Sequence, residues 1–472
     1  MKKLALVAAV LAARGVSLFA QLPSTGADRF IGNWMGTLVT PAARLRLALT
    51  VARDSAGALS AVLTSLDQGN AKVPATLAIH GDTIIVSMAS AQATYTAALD
   101  AKGDSLRGEF FQGGALPLAM GRGAALPPPV RPQEPKPPFP YASEDVSFES
   151  VPGVRLAGTV LTPPGAGPFP AVVMVTGSGP QNRNEELLGH KPFLVIADYL
   201  ARHGIASLRY DDRGVEKSTG SFAAATSADF ANDAQAAVEF LRAQKGIARD
   251  HVGILGHSEG GLIAPMVAAR SKDVAFVVLL AGPGLPGDSI LLMQQELIAK
   301  AQGAPQEMID RNTGANSRLY AAIKSGRDSA DAAARVDSIS KRMVASLPED
   351  QREQARAQLA AARRGLLTPW MMYFLKNDPR PTLRQVRVPV LALDGSLDLQ
   401  VPPKQDLAAI DSALKEGGNR DYRVVELAGL NHLFQTAKTG NPSEYASIAE
   451  TFSPAALQII ADWINAHAAK RR

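Results

Sequence analysis

Between Phe30 and Arg122 apolar and polar residues alternate in short runs, among them "WMGTLVT", "LRLALTVARD", "DTIIVSMAS" and "LRGEFFQGG", punctuated by Gly, Asp and Asn. A period of two with turn residues at near-regular spacing predicts an all-β domain over 22–124, an antiparallel sandwich or a small barrel. The only histidine in this stretch, His80, stands beside Gly81 with no acidic or nucleophilic pattern around it.

The rhythm stops at "ALPPPVRPQEPKPPFP", residues 125–140. Proline at that density cannot enter a helix or a sheet interior and favours an extended, semi-rigid spacer. Beyond it, from 141 to 472, apolar runs of strand length ("AVVMVTG", "IASLRYD", "VGILGHS", "FVVLLAG", "VPVLALDG", "YRVVELAG") alternate with amphipathic stretches of helix length. Strands that are apolar on both faces need helices on both sides, so the alternation predicts an α/β domain around a mostly parallel, doubly wound sheet. One segment interrupts it. From about 285 to 387 the chain is rich in Ala, Gln and Arg, which predicts a helical cap inserted between two strands.

Composition changes this picture little. Of 472 residues, 49 are basic and 44 acidic, and Lys2, Lys3 and Arg14 lie in an acid-free start. Setting those three aside leaves 46 basic against 44 acidic residues, which gives no footprint for nucleic acid or an anionic surface. The start itself, "MKKLALVAAVLAARGVSLFAQ", has a lysine pair, an apolar run and a small residue at Ala20. That layout predicts a signal peptide over 1–20 and export to the periplasm or beyond, with an ordinary N-terminal helix as the alternative. The apolar run is about half what a bilayer span requires, so no stable membrane span is expected. The chain has no cysteine, which excludes disulfides, thiol nucleophiles and thiolate metal sites.

The chemistry concentrates in "GHSEG", where Ser258 sits between the strand "HVGIL" and the helix "GLIAPMVAAR". A reversal from strand to helix strains its central residue, and flanking glycines relieve the crowding, so Ser258 is held up at the carboxyl end of the sheet as a nucleophile. Its hydroxyl needs a base, and the base needs an orienting acid. Two histidines follow: His467 lies in the last helix, where a solvated face is expected, and His432 lies in the loop "LNHLF" at the sheet's active end. His432 is therefore the expected base. His257 adjoins the serine, but the turn should aim it away, into packing. Asp398 in "SLDLQVP" is the expected acid; Asp394 at the strand tip and Asp288 after the preceding strand are the alternatives. An oxyanion hole would draw on the amide of Glu259 and on the loop "TGSGPQNRNE", through Ser178 or Gly179. That loop lacks the Lys-Ser/Thr of a phosphate cradle.

These residues together resemble the α/β-hydrolase superfamily, and within it exported bacterial esterases and serine-aminopeptidase-like hydrolases. Such proteins carry a "GSGPQ-x-R" loop, a "DDRG-x-G-x-S-x-G" loop, a "GHSEG" elbow, a "G-x-x-D-x-x-V-P" acid loop and "NH" at the base. Here they read "GSGPQNR", "DDRGVEKSTG", "GHSEG", "GSLDLQVP" and "NH". The resemblance covers about Ser143 to Ala468, and part of that group has an N-terminal β domain opening on G-x-W. Glu216 departs from the pattern at a glycine position; Arg213 and Asp212 there read as structural ion-pairing residues. The resemblance implies a serine hydrolase acting on small-molecule carboxylic esters through an acyl-serine, without cofactor or metal, with peptidase chemistry as the alternative. Trp370, Met371, Met372, Tyr373 and Phe374 in "TPWMMYFLKNDP" could wall an acyl pocket or simply pack the cap. A reading of another class is a glycan- or lipid-binding protein on a degenerate hydrolase scaffold.

Overall fold

Residues 26–40, 44–53, 59–67, 71–91, 93–112, 114–123 and 131–469 are described by a computed structural model. They divide into two units, with the boundary between residues 126 and 127. The expected signal peptide over 1–20 lies outside the described residues.

The first unit is a closed barrel of eight antiparallel strands: β1 (Gly32–Val39), β2 (Arg44–Arg53), β3 (Leu59–Ser65), β4 (Ala71–His80), β5 (Thr83–Met88), β6 (Ala93–Leu99), β7 (Ser105–Phe111) and β8 (Ala115–Arg122). β1 closes on β8, with Trp34 opposite Arg122, so the sheet has no free edge. Alternate residues point inward, and the interior is filled by Trp34, Ile84, Met88, Tyr95, Leu106 and Met120. Each polar tip inside finds a partner: Trp34 Nε1–H donates to Phe30 O at 2.9 Å, and Tyr95 OH lies 3.2 Å from Leu118 O. Gly36 in "GNWMG" has a steric reason, because a Cβ there would fall 2.3 Å from Ala119 O.

The proline-rich stretch expected as a spacer over 125–140 behaves differently in its described part. Arg131 donates to the carbonyls of Leu188 (2.9 Å), Ala446 (2.9 Å) and Ile448 (2.8 Å), with a longer bond to Gly189. Gln133 Oε1 accepts from the Thr451 and Phe452 amides, and Glu134 pairs with Lys191 at 2.5 Å. Residues 131–134 thus belong to the second unit. Proline content shows what the segment cannot form, but not the carbonyls it meets far along the chain.

The second unit is built on an eight-stranded sheet. Its strands are β9 (Ala142–Val151), β10 (Val154–Thr162), β11 (Phe169–Val175), β12 (Ala206–Tyr210), β13 (Ile247–His257), β14 (Val277–Leu280), β15 (Val390–Gly395) and β16 (Tyr422–Leu427). Their order is β16-β15-β14-β13-β11-β12-β10-β9; β11 to β16 run parallel, and β9 and β10 are antiparallel. One face is covered by α2 (Ser227–Arg242), α3 (Glu259–Ala268) and α10 (Pro403–Glu416), the other by α1 (Pro192–Arg202) and α11 (Pro454–Ala469). The strand order reverses at β11, between β12 and β13. That switch point opens a crevice at the carboxyl ends, where this kind of sheet binds ligands.

The expected cap is present as six helices between β14 and β15: α4 (Gly287–Ala301), α5 (Gln306–Lys324), α6 (Ser329–Ala345), α7 (Glu349–Leu366), α8 (Pro369–Lys376) and α9 (Arg380–Leu383). It has its own small core of Leu319, Tyr320, Ile323, Val336 and Leu375. α8 starts where Pro369 presets the first turn and Thr368 Oγ1 accepts from the Met371 amide. No described helix is long and apolar enough to cross a membrane.

Candidate active site

β13 ends at His257, α3 begins at Glu259, and Ser258 between them has φ 51° and ψ −117°. L-residues seldom adopt that conformation, so the surroundings must enforce it. They do. A Cβ on Gly256 would lie 2.0 Å from Gly260 O, and one on Gly260 would lie 2.1 Å from Val175 O. Both glycines of "GHSEG" are therefore demanded by backbone contact. Ser258 N–H donates to Leu280 O at 2.8 Å, which fixes the turn to β14.

His432 and Asp398 are in direct contact. His432 Nδ1 lies 2.6 Å from Asp398 Oδ2, and both side chains are buried. Asp398 Oδ1 accepts from the amides of Gln400 (2.6 Å) and Val401 (2.9 Å), so the carboxylate is held at both oxygens. The neighbouring Asn431 shapes the histidine loop: its Oδ1 accepts from the Leu433 and Gln435 amides, each at 3.0 Å. The alternative acids are placed differently, Asp288 on the cap and Asp394 against Asp398 itself. Asp288 pairs with Lys324 at 2.6 Å on the cap. Asp394 binds the Gly395 amide at the strand tip, while burial, and then the charge of Asp398, raise its carboxyl well above the usual range. His467, expected on a solvated face, is only partly exposed, bonded to Trp463 O and Asp421. The Trp463 indole beneath it covers one face of the ring.

The loop after β11 is tied down from below. Asp212 accepts from Thr176 Oγ1 and the Gln181 amide, each at 2.9 Å, and burial pushes its carboxyl up to about 8. Asp212 thus acts as an acceptor for a hydroxyl and an amide, where an ion pair was expected. The ion pairs run between Arg183 and Asp211 (2.7 Å) and between Arg213 and Asp233 (2.7 Å). Glu216, at the family's glycine position, has φ 47°, the left-handed backbone that glycine adopts without strain. Within the loop Gly177 N–H is already given to Glu185 Oε1 at 2.6 Å. Ser178 borders the same cavity as Ser258 and Glu259.

That cavity has a volume of about 60 Å³ and is walled by Pro283, Ile290, Leu291, Trp370, Phe374 and Val401, with Gln294 and Gln400 on its polar side. Of the expected pocket residues, Trp370 and Phe374 line it, stacked with centroids 5.3 Å apart. Met371 and Met372 pack against the cap's own core, and Tyr373 is not among the lining residues. Trp370 has a second role that the sequence did not reveal: its Nε1–H donates to Glu259 Oε1 at 2.7 Å, where Ser227 Oγ also donates at 2.6 Å. Glu185 was not foreseen, and His257, expected only to pack, is bonded at both ring nitrogens. His257 Nδ1 is 2.9 Å from Glu185 Oε1 and its Nε2 is 2.9 Å from His432 O. Among the described residues no cluster of His, Cys, Asp and Glu is placed to hold a metal ion.

A largely parallel sheet with a strained serine at its switch point and a buried His–Asp pair beyond it defines an α/β hydrolase. The chain matches the X-Pro dipeptidyl-peptidase (S15 family) pattern over residues 152–420 and belongs to that family. It is similar to Esterase EstD of Thermotoga maritima, 26% identical over 307 residues that cover 65% of this chain and 63% of that protein. The chain thus spans a little under two thirds of that relative's length. Among solved structures it is similar to the Pyrococcus furiosus esterase Pf2001 (14% identity, TM-score 0.40, 69% of this chain and 92% of that one). It is also similar to the α/β hydrolase GrgF from a Penicillium species (19% identity, TM-score 0.40, 62% and 91%).

Proposed function

We propose that this protein is a serine carboxylic-ester hydrolase for small acyl groups. The observation that carries the reading is the strained Ser258 facing a narrow apolar cavity, with the bonded pair His432–Asp398 on the adjoining loops. In the proposed reaction Ser258 Oγ attacks the ester carbonyl while His432 Nε2 takes its proton. Asp398, held by two amides, keeps the imidazole in one tautomer and steadies the imidazolium. The amides of Glu259 and Ser178 receive the developing oxyanion, at the positive end of α3. His432 then protonates the leaving alkoxide, and water repeats the sequence on the acyl-serine.

The family's description makes release of X-Pro dipeptides the competing reading. Two features favour the ester. The cavity beside Ser258 is narrow and apolar, about 60 Å³, which suits a short acyl chain better than a proline ring with a residue before it. The only carboxylate on its wall, Glu259, is occupied by Trp370 and Ser227 and is not free to pair with a peptide's terminal ammonium. The test is turnover of p-nitrophenyl acetate against Ala-Pro-p-nitroanilide by the wild type and Ser258→Ala. The expected result is ester turnover that disappears in the variant, with negligible anilide turnover. Faster release from the anilide favours the peptidase, and ester turnover surviving in Ser258→Ala removes the serine mechanism altogether.

A further inference from the structure

His257 immediately precedes Ser258 and its side chain is buried. Both of its ring nitrogens face acceptors. Nδ1 meets Glu185 Oε1 and Nε2 meets the backbone carbonyl of His432, each at 2.9 Å. A neutral imidazole carries one N–H and can serve only one of these; an imidazolium carries two and serves both. A carboxylic acid on Glu185 could in principle supply the missing proton to Nδ1. However, the same oxygen, Oε1, also accepts the Gly177 N–H at 2.6 Å, and an oxygen that has given its own proton outward is a poor acceptor for that bond. A carboxylate oxygen takes both.

Three parts of the site converge on these two side chains. Gly177 begins the loop that brings the Ser178 amide to the cavity, and a Cβ on Gly177 would lie 3.3 Å from the Cβ of Ser258. His257 is the last residue of β13 before the elbow. The His432 carbonyl belongs to the residue whose ring meets Asp398. Glu185 is itself held at φ 52°, a strained backbone for a non-glycine residue, and is 4% exposed.

We propose that Glu185 and His257 form a buried carboxylate–imidazolium positioning pair that sets the oxyanion loop and the backbone of the base at a fixed separation about Ser258. The proposal rests on the serine mechanism above but concerns residues that do not touch substrate. Burial by itself would push the His257 ring down; the Glu185 carboxylate, with the His432 carbonyl and Asp398, offsets this, and the ring lies above its ordinary value. The other charged or titratable groups acting on the pair are Asp398 and the His432 ring, whose centroid is 4.9 Å from that of His257, and Asp212 on the Glu185 side. At a pH above the His257 pKa the ring loses one N–H, and with it one of the two ties.

The test pairs a spectroscopic readout with kinetics. In protein labelled with ¹⁵N-histidine, His257 (assigned by its loss in His257→Asn) should show both ring nitrogens protonated at pH 7.5. A single protonated nitrogen overturns the proposal whether or not any variant folds. Glu185→Gln keeps the shape and the acceptor for Gly177 but removes the charge, so its His257 ring should become neutral. Its kcat on p-nitrophenyl acetate should fall about 10- to 100-fold with KM within about two-fold, as expected for misplacement of groups that act in the transition state. The alkaline limb of its kcat profile should also move to lower pH. An unchanged kcat, or a loss confined to KM, overturns the positioning role. The ring spectrum does not depend on turnover, so a failure of the serine mechanism in Ser258→Ala is separately visible.

Discussion

Arg131→Ala tests whether the strap of residues 131–134 is structural. The guanidinium makes three bonds of 2.8–2.9 Å to carbonyls from two separate segments, 188–190 and 446–448, and the residue is 9% exposed. A bond from a charged donor is worth about 1.5–3 kcal/mol when its partner is left dry. Here the edge of the side chain reaches solvent, so water can re-occupy the carbonyls and about 1 kcal/mol per bond remains, roughly 3 kcal/mol in all. For a unit of this size that corresponds to a fall in Tm of about 5 °C. Arg131→Lys should lose most of the same amount, because one ammonium cannot reach carbonyls on both segments. Thermal unfolding followed by circular dichroism gives the total, and hydrogen exchange should show faster opening at 441–453. A melt within about 1 °C of the wild type, with unchanged exchange there, would refute the estimate. A chain starting near Pro138 would lack every one of these contacts. A truncated chain must begin before Arg131 to keep the strap.

Three other perturbations discriminate among parts of the site. Asp398→Asn should lower kcat by about three to four orders of magnitude, while Asp394→Asn and Asp288→Asn stay within a few-fold; a large loss in Asp288→Asn alone would reassign the acid. Phe374→Ala opens the cavity wall, so the ratio of kcat/KM for p-nitrophenyl hexanoate over acetate should rise about tenfold; an unchanged ratio would place the acyl group elsewhere. His190 is held neutral down to about pH 4, first by burial and then by the Arg131 charge. The unfolded chain protonates this ring from about 6.5, so stability present above that pH is lost as it falls toward 4, on the order of 3 kcal/mol at most. Urea unfolding of the wild type should weaken across this range, and His190→Asn should flatten the dependence.

Elements with a local or periodic cause were legible in the chain. Buried parallel strands must be apolar on both faces, which is why "AVVMV" and "VGILG" announced the sheet, and backbone collision makes Gly256 and Gly260 necessary wherever such an elbow occurs. The order Ser258, Asp398, His432 followed from winding. What stayed hidden depends on contacts between distant positions. Nothing near His257 points to a glutamate 72 residues earlier, and nothing near Arg131 points to carbonyls 315 and 317 residues later. The pocket was half readable. An apolar octapeptide helix does not reveal its inner side by composition, and spacing does not decide it either: Trp370 and Phe374 are four apart, but Met371 is three from Phe374 and Tyr373 three from Trp370, so all four are helical neighbours.

The cap also has a consequence for how the molecule assembles. β14 and β15 are adjacent and parallel, yet they pair across the whole insertion, from Leu280 to Val390. Doubling such a loop adds only about 0.6 kcal/mol to the entropy of closing it, so caps of very different length can be exchanged on this sheet at little thermodynamic cost. The kinetic cost is larger, because contacts so remote in sequence form late. The nucleophile elbow can be completed from the strands up to β14 alone, during synthesis. Asp398 and His432 arrive only when β15 and β16 dock, after the whole helical insertion between Leu280 and Val390 has left the ribosome. A nascent chain arrested within the cap would carry a folded serine turn with no base to activate it.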